Sequence, residues 1–300
     1  MEEPVSILRA AAVQFRSGDG VAENCARICD HLARMATQGV HVAVFPECAL
    51  TAYDNDGINR ATPEQLAKAE RTLAEACREH RINAVVGSPF FRDGRRYNGA
   101  IAWDRNGACI ARYAKIHTGG EKWFVPGDEM ALFSIEGTLC TAIICFDSRF
   151  PELVRLPVMA GAQIVFYLSC ETDITDERRM DQYRAQLVAR AVENSVYVIC
   201  ANSPMGEVRV TPERIHGFGR DGNGRSRIIG PDRVILKEAS VFGEETVVAD
   251  LVLANATRHL ALLSRESAPL GNWWDLGVKI LGDLSSRERM PQEIPGTPKK

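Results

Sequence analysis

Residues 141–152 read TAIICFDSRFPE. The apolar run 139–144 fits a buried strand that stops at Cys145, and a loop of mixed charge follows before Pro151 opens a helix. A strand that ends on a cysteine and passes at once into a helix start sets the thiol at a sheet edge. Backbone N–H groups there lack helix carbonyls, so the position suits a nucleophile. A buried structural thiol is the simpler reading of this stretch alone, because free cysteine is among the most buried residue types. Cys145 needs partners.

Upstream, residues 7–15 read as a central strand, followed by the turn-prone Ser17-Gly18-Asp19-Gly20. Val21, Cys25, Ile28, Leu32 and Met35 then recur at helical spacing, and Gly39 ends the pattern. Residues 41–45 form a second strand that runs into Pro46-Glu47-Cys48. Thr62-Pro63-Glu64 is a helix start, with a capping side chain and proline at the first helical position, and a third strand follows at 84–90. Alternation of this kind predicts an α/β fold with helices covering the sheet. From Arg96 the period changes, and 97–103 and 109–113 flank the hairpin turn Asp104-Arg105-Asn106-Gly107.

Downstream of Cys145 the pattern predicts a short helix after Pro151, a strand at 164–168, a long helix over 176–194 and a strand at 196–201. The helix carries Met180, Tyr183, Leu187, Val188 and Ala191 on one face. A polar, glycine-rich loop at 202–224 leads to a hairpin, 226–229 with 234–236, and to a last strand at 246–253. Another strand pair, 131–135 with 139–144, turns around Gly137. Beyond Arg265, Pro269, Trp273-Trp274, Pro291, Pro295 and Pro298 mark an arm, which divides the chain into a domain of residues 1–264 and an arm of 265–300. Adjacent tryptophans are expected to pack on this subunit or on a neighbour.

At 300 residues, 45% hydrophobic and 25% charged, the chain can bury a substantial core. A net charge of −3 with the signs interspersed gives no basic field, which weighs against nucleic acid and anionic membrane as partners. The opening MEEPVSILRA is acidic and lacks the charge and apolar pattern of a signal peptide or membrane span, so a cytoplasmic enzyme is expected. Nine cysteines without zinc-finger spacing fit a reducing compartment, and six scattered histidines without HExxH predict no metal site.

Two further reactive groups stand at strand ends. Glu47 lies in the apolar setting VAVFPECAL, where a carboxylate is either a structural acid or a proton carrier with an adjusted pKa. Lys115 ends the second arm of the hairpin, where a lysine is ordinarily a solvated charge. Strand ends on one side of an α/β sheet converge on one crevice, so Glu47, Lys115 and Cys145 can meet although 68 and 30 positions separate them. Their chemistries fit together, with a nucleophile, a general base and a fixed positive charge.

FPECALTAYD around Glu47, RYAKIH around Lys115 and CFDSRFPE around Cys145 resemble the three catalytic motifs of the nitrilase, or carbon–nitrogen hydrolase, superfamily. The similarity extends over residues 7–253 and includes YNGAIAWDRNG, EKWFVPGD, ARAVENSVYVICAN and GRSRIIGPD. It implies a four-layer α-β-β-α sandwich and hydrolysis of a non-peptide C–N bond without metal or cofactor. Carried onto this chain, Cys145 attacks an amide carbon to form a thioester, Glu47 moves the protons, and Lys115 with the Phe146 N–H holds the oxyanion. Glu121 matches a second glutamate that orders the lysine and the substrate. His117 is expected to be a structural hydrogen-bonder and not the base. Arg149 is expected either to hold a substrate carboxylate or to form a salt bridge with Asp147 or Glu152, while Tyr53 and Glu171 are expected to line the pocket.

Phe146-Asp147 departs from the Trp-Glu of true nitrilases and resembles the amidase-like branches, whereas carbamoylases of amino acids carry two arginines where this chain has Ser148-Arg149. The resemblance therefore implies an amidase acting on a small linear amide. An N-carbamoyl amidohydrolase or a nitrilase is the alternative, as is an inactive binding subunit with the Trp273-Trp274 arm as its contact. It also implies a homodimer or larger homo-oligomer.

Overall fold

The computed structural model describes residues 6–171, 177–232 apart from 207–221, and 234–287. Two six-stranded sheets carry the chain. The first has the order β12 (Glu245–Val252), β1 (Ile7–Gln14), β2 (Val42–Val44), β3 (Asn83–Arg92), β4 (Arg95–Trp103) and β5 (Cys109–Ala114). The second runs β11 (Ile235–Glu238), β10 (Arg227–Ile229), β9 (Tyr197–Asn202), β8 (Ile164–Ser169), β7 (Thr138–Ile144) and β6 (Phe133–Ile135). In each sheet the three middle strands β1-β2-β3 and β7-β8-β9 are parallel, and the outer strands join them antiparallel.

Period-two alternation decides the layering. Leu8, Ala10 and Ala12 of β1 face Ile144, Phe166, Leu168 and Ile199 of the second sheet in one buried cluster between the sheets. Ala11 and Val13 point the other way, onto Ile28 and Leu32 of α1 (Val21–Thr37) and Leu73 of α3 (Pro63–His80). The outer face of the second sheet, through Ile143, Val165 and Tyr167, packs on Val154 and Val158 of α4 (Glu152–Met159) and Leu187 of α5 (Glu177–Val192). Strands of this kind need apolar residues on both faces, which is why their sequences read as near-continuous apolar runs. The result is the α-β-β-α sandwich.

The α3 start is a capping box, with Thr62 accepting from the Gln65 N–H and Gln65 accepting from Thr62 N–H, worth about 1 kcal/mol. One helix escaped the periodicity, α2 (Asn55–Arg60), which Asp54 caps by accepting from the Gly57 N–H. Six residues are too few to show a 3.6 period.

After β12 the chain forms α6 (His259–Glu266) and α7 (Ala268–Arg287), so the described part of the arm is helical. Trp274 donates to the Ser264 carbonyl at 2.9 Å, whereas Trp273 is 67% exposed. Among the described residues no helix is long and apolar enough to cross a membrane. The Met180 side chain, most of the 202–224 loop, and Pro291, Pro295 and Pro298 lie outside the described residues.

Candidate active site

The carboxyl ends of β2, β5, β7 and β8 bring the reactive side chains together. Pro46 stops β2, and the chain turns sharply through Cys48 at φ +52°. Glu47 is set inside the molecule by this turn, only 1% exposed, and not at the lip of the sheet. Gly87 of β3 lets the turn approach, since a Cβ there would stand 2.0 Å from the Pro46 carbonyl oxygen.

Lys115 leaves β5 with its backbone held on both sides, its N–H donating to the Asn98 carbonyl and its own carbonyl accepting from the Gly127 N–H. Its Nζ donates to Glu47 Oε1 at 2.7 Å and to Glu121 Oε1. An ammonium has three donors, so the described residues leave one over. Burial by itself would lower the Lys115 pKa, but the neighbouring negative charge, Glu47 first, outweighs it and holds it well above the ordinary value, so the group stays charged.

Glu47 Oε1 also accepts from Asn98 Nδ2 at 2.7 Å, and Oε2 accepts from the Cys170 N–H at 3.1 Å. Of about four acceptor sites on a carboxylate, the described residues fill three and leave one on Oε2. Glu121 takes a hydrogen bond from Tyr53 OH at 2.5 Å and another from Asn98 at 3.3 Å. Burial raises Glu121 to about 7 against the pull of Lys115.

Cys145 follows β7 at φ +45°, a left-handed conformation that side chains rarely adopt, and leads into a 3-10 turn, Cys145–Arg149. Phe146 is in the first turn, where helix geometry supplies no carbonyl for its N–H. Asp147 ties this turn down. It accepts from Tyr113 OH at 2.8 Å, from the His117 N–H at 2.9 Å and from the Ile144 N–H at 3.1 Å. Arg190 of α5 holds the other side by donating twice to the Ser148 carbonyl, at 2.9 and 3.2 Å. Burial first, and then the Glu47 charge, push the Cys145 thiol well above its ordinary pKa, with Lys115 pulling the other way. The resting sulfur is therefore a neutral thiol that needs a base beside it.

The structure thus brings Glu47, Lys115 and Glu121 into one hydrogen-bonded cluster with Cys145 within its electrostatic reach. At His117 the bond to Asp147 is made by the backbone N–H, while the ring stacks on Phe150 with centroids 3.6 Å apart. Arg149 pairs with neither Asp147 nor Glu152. It donates to Tyr183 OH at 2.9 Å and lies over the Phe146 ring, because Asp147 is committed to the turn. Tyr53 meets Glu121, and Glu171 is buried, accepting from Tyr167 OH at 2.8 Å and from Asn223 at 2.9 Å. Asn98 and Arg190 went unrecognised in the sequence. The signal for Asn98 was a lone amide in the apolar strand YNGAIAW. Among the described residues no group of three His, Cys, Asp or Glu is arranged to hold a metal ion.

The sequence matches the family profile described as carbon-nitrogen hydrolase over residues 9–259. The chain belongs to that family.

Within the family it is 28% identical to "Hydrolase in agr operon" of Staphylococcus aureus, over 77% of this chain and 84% of that one. It is 27% identical to a 2-oxoglutaramate amidase of Bacillus subtilis (64% and 74% covered), and 25% identical to an omega-amidase of Homo sapiens (80% and 86% covered). Among solved structures it is similar to the nitrilase-superfamily amidase of Nesterenkonia AN1, with 26% identity, a TM-score of 0.74, and 91% of this chain and 99% of that one covered. In one variant of that enzyme the acetamide moiety of fluoroacetamide is covalently added at the active-site cysteine. This carbon-nitrogen hydrolase is accordingly an enzyme of amide C–N hydrolysis, on the amidase-like side of the nitrilase superfamily.

Proposed function

We propose that the chain hydrolyses a small linear amide to ammonia and a carboxylic acid through a thioester on Cys145. What supports the reading most is the Glu47 carboxylate, with one acceptor site that no described residue fills, close enough to a neutral Cys145 thiol to raise its pKa. In this reading Glu47 takes the thiol proton as sulfur attacks the amide carbon, then gives it to the departing ammonia. It next deprotonates the water that opens the thioester, and returns that proton to the sulfur. The third Lys115 N–H and the Phe146 N–H receive the oxyanion, and one such donor is commonly worth about 10²–10³ in turnover. Glu121, held by Tyr53 and Asn98, keeps Lys115 oriented.

Relatives named 2-oxoglutaramate amidase and omega-amidase make ω-amides of dicarboxylic acids the first substrates to try. Nine cysteines, none of them in a disulfide, support a cytoplasmic setting. Apolar side chains exposed on α6 and α7, Trp273 foremost, support a homo-oligomer.

Ammonia release from a panel of simple amides, ω-amides, N-carbamoyl acids and nitriles tests the reading. Release from an amide is expected, with Cys145→Ala inactive and Glu47→Gln slower by about 10²–10⁴. Equal behaviour of the wild type and Cys145→Ala across the panel sinks it.

A further inference from the structure

Ser169 closes β8 at the carboxyl side of the second sheet. β7 and β8 run parallel with Ile144 paired to Leu168, so Ser169 and Cys145 are the residues that follow that last pair, Cys145 opening the turn after β7. The side chain is 0% exposed, and its hydroxyl oxygen has no hydrogen-bond partner among the described residues. Burying a hydroxyl in this state opposes folding, so a group of this kind calls for an explanation.

Its surroundings narrow the choice. The Tyr167 phenol is taken up by Glu171 and the Cys145 carbonyl, the Cys170 N–H by Glu47, and the Glu171 N–H by Asn202. Ser169 lies close to both the Tyr167 phenol and the Cys145 sulfur, and of these two the sulfur is the one on which negative charge develops in the proposed reaction. A neutral thiol sulfur accepts hydrogen bonds weakly, which leaves the hydroxyl unpartnered at rest. A thiolate is a far stronger acceptor.

We propose that Ser169 is a positioning residue for the nucleophile, its hydroxyl donating to the Cys145 sulfur as that sulfur becomes anionic. The proposal rests on Cys145 being the nucleophile. The thiol proton passes to Glu47 and Ser169 keeps its own, so the hydroxyl adds a dipole already in place where negative charge develops. The unpartnered resting state and the catalytic role are then two sides of one arrangement.

Alkylation of Cys145 by iodoacetamide, located by peptide mass and followed across pH, tests this without any substrate. Ser169→Ala is expected to slow alkylation at pH 8 about tenfold and to displace the pH profile upward by about one unit. Its urea midpoint should equal or exceed that of the wild type, because an unpartnered hydroxyl has gone. Ser169→Thr, which keeps the hydroxyl, is expected to retain the wild-type profile. A Ser169→Ala protein with wild-type rate and profile overturns the proposal, and so does a slowing accompanied by a lower midpoint, which would mark a structural role. Failure of the amidase reading itself would show separately, as ammonia release by Cys145→Ala.

Discussion

The carboxyl of Glu121 gives this site a pH signature of its own. Burial lifts it from an ordinary 4.5 to about 7, so between those values the folded chain holds a proton that the unfolded chain has released. The unfolded state then binds fewer protons, and stability falls as pH rises from about 4.5 to about 7, by up to about 3 kcal/mol. Glu121→Gln removes that titration. Urea midpoints measured at intervals across the window should fall for the wild type and stay flatter for the variant, and parallel curves would refute the assignment. This carboxyl was visible in the sequence only by resemblance, since a lone glutamate after Gly119-Gly120 reads as a loop acid. Asn98 showed only as a lone amide in an apolar strand, with nothing to give it a role. Its function depends on two carboxylates, 51 and 23 residues away, that meet it only in the folded sheet.

The turn after β2 and the turn after β7 position the chemistry, and both depend on neighbouring strands. Gly87 of β3 lets Pro46 and Glu47 lie flat against it, with no room for a methyl group. Gly87→Ala should therefore displace the Glu47 turn, costing about 1–3 kcal/mol of stability and tenfold or more in kcat/KM. Thermal unfolding and steady-state rates measured side by side check this, and wild-type values in both would show that the turn yields freely. Strand identities and order along the chain were readable because buried parallel strands are continuous apolar runs. The short α2 was not, and neither was the commitment of Asp147 to the nucleophile turn, which left Arg149 to pair with Tyr183 instead.

Two stacked sheets bury the apolar faces of the sandwich, but α7 keeps apolar side chains that no other described residue covers. Trp273, Val278 and Leu281 are each at least 67% exposed. Large apolar side chains exposed together on one helix suit a contact site. Sedimentation velocity at micromolar concentration is expected to give a species larger than 33.1 kDa, and Trp273→Asp to shift it toward that monomer mass. A wild-type monomer would remove the oligomer from the proposal.

The sequence alone determined the alternation of strands and helices, the thiol at the end of β7 and the three motifs that match the family, because each is written in local spacing and residue type. Tertiary structure decided the rest: that Glu47 is buried, that Asn98 bridges Glu47 and Glu121, that Asp147 and Arg190 hold the cysteine turn, and that the Ser169 hydroxyl has no partner among the described residues. Those facts concern which hydrogen-bonding groups are left over once the two sheets close, and distant strand ends settle that only when the fold brings them together.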